Sequence, residues 1–268
     1  MIKYYQIIME NITVVVFSYN NEKIIKDCLL SAKLLTDKII LIDQQSTDQT
    51  PALAKQYQAT VYLSPHYHYV EPAREFGIRK AVTDWVFILD SDERITPQLA
   101  QEIKAAIRNP QFSYYRLCRK NIFIDQWLKH GGWWPDQQIR LINKKYFITW
   151  PKTIHSTPQI KGKEGLLKNP LLHFFHGDLK TMVDKTLIFE DIESDLLFKA
   201  HKPVSTLTFF RKFFGELWRR LVKNLGFLDG TAGIIESIYQ AFSKTITYLF
   251  LYEKYQNKKT FPRQGRPL

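Results

Sequence analysis

From Asn11 to about Arg108, short apolar runs alternate with stretches of helical period. Ile12-Thr13-Val14-Val15-Val16-Phe17 is a compact β-branched run of the kind expected of a strand buried on both faces. Apolar residues at Ile24, Ile25, Cys28, Leu29 and Ala32 then recur at helical spacing. Lys38 to Asp43 predicts a second strand, Ser46-Thr47-Asp48 an N-cap, and Thr50 to Tyr57 a helix. Thr60 to Leu63 predicts a short strand, Pro72 to Val82 a helix, and Asp84 to Asp90 another buried strand. Thr96-Pro97 opens the next helix, with proline in the first turn where no amide donor is missed. Strands alternating with helices predict an α/β fold with right-handed crossovers and a mostly parallel sheet. Ligands of such sheets gather at the carboxyl ends of the strands, where the polar clusters 18–22, 43–48 and 90–93 fall.

From Phe112 to about Ile160 the pattern turns to aromatic-rich short segments with turn signals at Gly131-Gly132 and Trp150-Pro151, which predicts an antiparallel or irregular extension that completes a site. Beyond His201 come two amphipathic stretches. Leu207, Phe210, Phe214, Leu217, Trp218 and Leu221 share one face of the first, and Ile235, Ile238, Tyr239, Phe242, Ile246, Leu249 and Phe250 form a stripe on the second. A turn-rich connector, 224–230, lies between them, and the tail after Lys254 is basic, proline-containing and predicted to be disordered. The expected division is a main domain over 1–200, with a part at 11–108 that carries the strand-end clusters and a part at 109–200 that completes the site. An amphipathic helical region over 201–255 and a basic tail over 256–268 follow.

Charge adds a partner class. Among 268 residues, Lys and Arg number 38 against 26 Asp and Glu, a net +12 that favours nucleic acid, acidic headgroups or phosphorylated substrates. Residues 199–223 carry seven Lys or Arg and one Glu among the apolar anchors. Such a helix either lies on an anionic membrane or packs on the catalytic domain with a solvated basic face. No window reaches the roughly 18 uncharged apolar residues of a spanning helix; the nearest, Gly233 to Tyr252, is interrupted by Glu236 and Lys244. Met1 to Glu10 has Lys3 as its one cation and no small-residue cleavage site, so a cytoplasmic location is expected, with peripheral contact at the inner face of the plasma membrane left open. Cys28 and Cys118 form no CxxC pair and read as small buried residues.

Asp90-Ser91-Asp92-Glu93 closes an apolar strand, and hard oxygen ligands at that spacing suit Mg2+ or Mn2+ bound together with substrate phosphates. A capped strand end gives the same letters. The runs Val14 to Glu22, Ile42 to Thr50, Ala73 to Ile78 and Trp85 to Glu93 resemble, in order, the blocks of family 2 glycosyltransferases with the GT-A fold, a Rossmann-like, mostly parallel sheet flanked by helices. Gly131-Gly132-Trp133-Trp134-Pro135-Asp136 with Arg140-Leu141, and Leu225-Gly226-Phe227-Leu228-Asp229-Gly230, are similar to segments of bacterial lipopolysaccharide-core β-glucosyltransferases.

That resemblance implies an inverting, metal-assisted transferase using a nucleotide-sugar, mostly UDP-linked in the family, on a lipopolysaccharide, lipid-linked or cell-surface glycan acceptor. It implies that Ser18, Asn20 and Glu22 hold the base and ribose, that Asp43 contacts the uracil or ribose, and that Arg74 meets the diphosphate. Asp90 would face the ribose or sugar, and Asp92 the metal. Asp136 is implied as general base, with Arg140 orienting that acid or a phosphate. His155 is implied as a third metal ligand, although Ser156 replaces the usual glutamate; His173 and His176 are the alternatives. Asp48 reads as a helix cap, and His66 and His68 as structural or substrate-adjacent. Gln44-Gln45 and Arg74-Glu75 depart from the family pattern. Two other classes remain: a nucleotidyltransferase, against which the first loop lacks glycine, and a basic nucleic-acid-binding module, against which the strand ends are acidic.

Overall fold

In the computed structural model, which describes residues 11–175 and 179–260, the four apolar runs are β1 (Ile12–Ser18), β2 (Ile39–Asp43), β3 (Thr60–Leu63) and β4 (Trp85–Asp90). They pair in parallel in the order β3-β2-β1-β4. Between them lie α1 (Ile25–Ala32), α2 (Thr50–Gln56) and α3 (Glu71–Lys80), and after a short β5 (Glu93–Arg94) comes α4 (Pro97–Arg108). Side-chain alternation divides β1 between two cores. Ile12, Val14 and Val16 pack with Cys28, Leu29, Leu99 and Ile103, while Val15 and Phe17 pack with Ala73 and Ile78 of α3. Burial on both faces is why these strands read as unbroken apolar runs. Gly77 lets α3 approach β1, since a Cβ there would sit 2.7 Å from the Phe17 ring and 2.8 Å from Val15 Cγ1. Thr96 caps α4 by accepting the Leu99 N–H at 3.2 Å. The expected cap of α2 is offset: Gln49 is the capping position, and Asp48 accepts the Thr50 N–H at 2.9 Å.

The predicted extension is antiparallel where it meets this half-sheet. β6 (Tyr114–Phe123) and β8 (Asp136–Asn143) pair antiparallel with each other, and β8 pairs antiparallel with β4. After β9 (Phe147–Thr149) and its antiparallel partner β10 (Gln159–Ile160), β11 (Glu164–Leu166) and β12 (Leu171–Phe174) both run parallel to β6. β12 also carries β5 antiparallel. The loop after β9 is fastened to α3 by Glu75, which accepts from the Thr149 hydroxyl at 2.6 Å and the Trp150 N–H at 3.0 Å and pairs with Arg79 at 2.7 Å. The Thr149 hydroxyl first, then the Trp150 amide and Arg79, lower the Glu75 pKa from 4.5 to about 2. A depressed acid stabilises the fold above its unfolded pKa and loses that contribution as pH falls through the folded one. The melting-temperature gap between the wild type and Glu75→Gln is therefore expected to close on acidification from about pH 5 to about pH 2; a gap independent of pH would show that the carboxylate charge is not its source.

The chain forms two compact units, one of residues through Ile122 with Pro135–Phe175, the other of Phe123–Trp134 with the chain after Phe175. The second unit contains the short strand β7 (Gln126–Trp127), α5 (Leu179–Lys199), α6 (Thr206–Leu217) continued by a π-helical turn over Trp218–Lys223, a 3-10 turn (Gly226–Asp229) and α7 (Gly230–Thr260). α5 was not expected, because its apolar residues do not fall on one stripe. Instead it is tied to α7 by polar pairs such as Thr186–Tyr239, at 2.7 Å. The tail expected to be disordered after Lys254 is helical to Thr260, since Lys254 binds Asp191 at 2.7 Å and Asp195 at 2.6 Å and the Tyr255 ring packs tilted against that of Phe198; residues 261–268 lie outside the described residues. Leu217 and Leu221, expected on the apolar stripe of the first stretch, are half-buried, whereas Leu207, Phe210, Phe214 and Trp218 face solvent.

The two late motifs meet inside this second unit. Gly131 donates its N–H to the Asn224 carbonyl at 2.8 Å, Arg220 donates to the Gly131 carbonyl at 3.0 Å, and the buried Asp229 accepts from the amides of Lys129 and His130 at 2.8 and 2.7 Å. Gly233 presses on the turn so closely that a Cβ would lie 2.1 Å from the Gly226 carbonyl oxygen. Of the two cysteines, Cys28 is buried and Cys118 only half-buried, contrary to expectation. No helix among the described residues is long and apolar enough to cross a membrane.

Candidate active site

The loops after β1 and β2 are stapled together by the residues the sequence singles out. Asn20, held at φ 49°, accepts the Thr47 N–H at 2.8 Å through its side chain. Glu22 accepts the Gln49 N–H at 3.0 Å, and Asp48 accepts the Glu22 N–H at 3.0 Å. Ser18 is buried and donates to Asn21 at 3.1 Å, and Asn21 also accepts from Ser91 at 2.5 Å, joining the first loop to the Asp90–Glu93 turn. Asp43 is buried; one of its oxygens accepts the Ser46 N–H at 3.0 Å, and the other, Oδ1, has no partner among the described residues. The His66 ring lies 3.9 Å from that of Tyr19, and 5.3 Å from His68.

Register brings the remaining candidates into one network. β8 runs antiparallel to β4, so its first residue, Asp136, lies at the carboxyl end of β4, and Arg119 of β6 sits directly across from it. Asn121 of β6 faces His173 of β12, which in turn faces Glu93 of β5. Arg74 binds Asp90 at 2.7 Å, and Asp90 binds Arg140 at 2.8 Å. Arg140 pairs with Glu93, which lies 3.4 Å from Arg119, and Arg119 binds Asp136 at 2.8 Å. Asp136 accepts from Asn121 at 3.1 Å, Asn121 bonds His173 Nδ1 at 2.6 Å, and His173 Nε2 lies 3.7 Å from Asp92.

The charges of this network are set by one another. Burial opposes ionisation of Asp90, but the guanidiniums of Arg74 and Arg140 hold its carboxyl far below the usual range. Burial likewise opposes charge on Arg140, yet Glu93 and Asp90 keep it firmly protonated. Asp136 is lowered despite its burial, by Arg119 and by hydrogen bonds from Gln138 and Asn121. Arg140 pairs with Asp90 and Glu93 and not with Asp136, the first of the two roles the resemblance implied for it, the other being a phosphate. Four residues along a strand is about 13 Å, which carries Arg140 to Asp90 and leaves Arg119 to hold Asp136. Arg74, buried and seated over the rings of Phe17 and Trp150 at 4.7 and 5.6 Å, leaves Nε and Nη1 without partners among the described residues.

The metal question turns on histidines. His155 is exposed at φ 58°, its backbone N–H donates to Glu71 at 2.8 Å, and its ring makes no ion pair with Asp92. His173 is the histidine the fold brings to Asp92, and His176 lies outside the described residues. Asn121 gives its NH2 to Asp136 and turns its carbonyl to His173 Nδ1, which leaves Nε2 as the ring nitrogen on the Asp92 side. A ring nitrogen beside a carboxylate is the kind of donor pair a divalent ion takes. Among the described residues no group of three or more His, Cys, Asp or Glu could hold a metal ion. Glu93, Arg119, Asn121 and Asn21 escaped the sequence reading. Glu93 and Asn21 were visible only as members of the polar clusters 90–93 and 18–22, and Arg119 and Asn121 lack any spacing signal.

The family model for glycosyl transferase family 2 matches residues 13–179, more than half of the chain. The chain belongs to that family. An uncharacterized glycosyltransferase of Rickettsia conorii is 26% identical over 250 residues, covering 88% of this chain and 87% of the relative. One from Rickettsia felis is 25% identical over 266 residues, covering 94% and 93%. Among solved structures, glucosyl-3-phosphoglycerate synthase from Mycobacterium tuberculosis, in complex with Mn2+ and uridine-diphosphate-glucose, is similar at 15% identity and a TM-score of 0.50, covering 76% of this chain and 85% of that one. This glycosyltransferase therefore has the GT-A fold with C-terminal helices added, and the nucleotidyltransferase and nucleic-acid-module readings give way.

Proposed function

We propose that this glycosyltransferase moves a sugar from a nucleotide-sugar, a UDP-sugar, with inversion onto a hydroxyl of a lipopolysaccharide, lipid-linked or cell-surface glycan precursor at the cytoplasmic face of the membrane. The observation that carries the reading is the closed network in which the Asp90–Asp92 turn and Asp136 are held by shared partners at the carboxyl end of β4. The relative crystallised with Mn2+ and uridine-diphosphate-glucose supports the donor class. The likeness of 131–136 and 225–230 to lipopolysaccharide-core β-glucosyltransferases supports the acceptor class.

Asp92 and His173 would hold Mg2+ or Mn2+, which when bound neutralises charge on the departing diphosphate. Arg74 would meet the diphosphate and Asp43 the base or ribose, and because Arg74 Nε, Nη1 and Asp43 Oδ1 are buried and unpaired among the described residues, both side chains would have to turn toward the ligand. Asn20 and Glu22 keep that pocket's loops in place. The Asp136 carboxylate takes the acceptor's hydroxyl proton as that oxygen bonds to the anomeric carbon and the bond from carbon to the diphosphate oxygen breaks. Arg140 acts at one remove, by fixing Asp90.

Isothermal titration with UDP, GDP, CDP and dTDP, each with and without Mn2+, tests the reading. UDP alone is expected to bind, tighter with Mn2+ by about tenfold or more, and the metal dependence is expected to vanish in Asp92→Ala and in His173→Ala while surviving in His155→Ala. Failure of all four nucleotides to bind would remove the donor and with it the proposal.

A further inference from the structure

α6 has two apolar sides, and folding uses one. On the inner side Phe209 meets Tyr252 and Lys212 lies over the Tyr248 ring at 5.1 Å, both on α7. On the outer side Leu207, Phe210, Phe214 and Trp218, at positions i, i+3, i+7 and i+11, are 58–73% exposed. A row of large apolar side chains left in water marks a surface that something covers. Cations border it: Arg211 and Arg219, each next in sequence to an exposed aromatic, and Lys223, after exposed Val222, are themselves exposed. Glu216 is the one acid in 199–223, and it is bound to Arg219 and Arg220.

We infer that the outer face of α6 and its π-helical turn dock on an anionic lipid surface, with Phe210, Phe214 and Trp218 in the headgroup boundary and the flanking cations on lipid phosphates. The charge decides the occupant. A second copy of the chain on this face would set two strongly basic segments against each other, whereas anionic headgroups complement them. The aromatic content agrees, since tryptophan is favoured where apolar tails meet wet headgroups. No described helix is long and apolar enough to span, so the geometry is that of a helix lying in the surface plane. The inference stands on the second unit and needs no nucleotide. It gives a lipid-linked acceptor a place to be met without depending on that acceptor.

The test is sedimentation of the full-length protein with vesicles of equal parts phosphatidylglycerol and phosphatidylcholine, against pure phosphatidylcholine. The wild type is expected to bind the anionic vesicles at low salt and to lose about tenfold or more in affinity in either of two double variants, Phe214→Glu with Trp218→Glu and Arg211→Glu with Lys223→Glu. All the altered residues are exposed, and circular dichroism checks that the variants fold. Lipids brominated near the headgroup should quench tryptophan emission in the wild type and much less in Trp218→Phe. Asp92→Ala should bind vesicles as the wild type does, which keeps this result separate from the nucleotide titration. Wild-type protein that ignores anionic vesicles, equal binding to neutral ones, or a monomer–dimer equilibrium abolished by the Phe214→Glu, Trp218→Glu variant would overturn the inference.

Discussion

Asp136→Asn is expected to fold and to bind UDP with Mn2+ as the wild type does, yet to transfer sugar about a hundredfold to ten-thousandfold more slowly, the usual worth of a positioned general base. The isosteric amide keeps an oxygen for Arg119 and Asn121, and Arg119 retains Glu93 at 3.4 Å. What the variant loses is a proton acceptor. Asp136 is held below the ordinary carboxylate range by Arg119, against the pull of its burial, so it stays ionised throughout the neutral range. That availability costs proton affinity, and in the proposed mechanism the base relies on the growing acidity of the attacking hydroxyl as its bond to carbon forms. Two readouts follow. Transfer of labelled sugar to acceptor in a cell-envelope extract should fall in Asp136→Asn, and the wild-type rate should show no loss assignable to Asp136 anywhere in the neutral range. Undiminished transfer in the variant would reduce Asp136 to a counter-ion for Arg119.

The parts of this site that were legible in the sequence are those made by local pattern. β1, β2 and β4 announce themselves because both their faces are buried, and the polar letters that follow each one must then lie at the ligand edge. Thr96-Pro97 is legible because a cap is a local event. The partners were not legible, because they depend on register. Arg119 and Asn121 sit in Arg116-Leu117-Cys118-Arg119-Lys120-Asn121, a run without the apolar pattern that marks β1, β2 and β4, and only the alignment of β6 with β8 and β12 brings them to Asp136 and His173. The same alignment separates His173 from His155. In sequence His155 has the better family position, but β12, four residues long, carries His173 between Asn121 and Glu93 and so to Asp92. The spacing of Asp136 and Arg140 misled for a simpler reason: an interval that makes neighbours on a helix separates residues on a strand.

Glu93→Leu is expected to lower the stability of the first unit by on the order of 3–5 kcal/mol, since removing one partner strands its buried counter-charges. Glu93 is 0% exposed, and besides Arg140 and Arg119 it accepts the Asp90 N–H at 2.9 Å. At roughly 2–4 °C per kcal/mol for a domain of this size, the melting temperature should drop by about 10 °C, and a drop within about 2 °C would show that solvent or the remaining carboxylates absorb the charge. Glu93→Gln keeps the shape and one acceptor, so its loss should be smaller. The informative variant is the double one, Glu93→Leu with Arg140→Met. Replacing both ends of a buried ion pair by apolar groups is often neutral or stabilising, so the double variant should recover much of the lost melting temperature. Transfer activity should not return with it. Asp90 would then have Arg74 alone to orient it, and Arg119 would have Asp136 alone, so the carboxylates on which the proposed chemistry depends would be free to shift. Stability regained without activity would assign the network to placing its carboxylates; activity regained with stability would assign it to holding the sheet together.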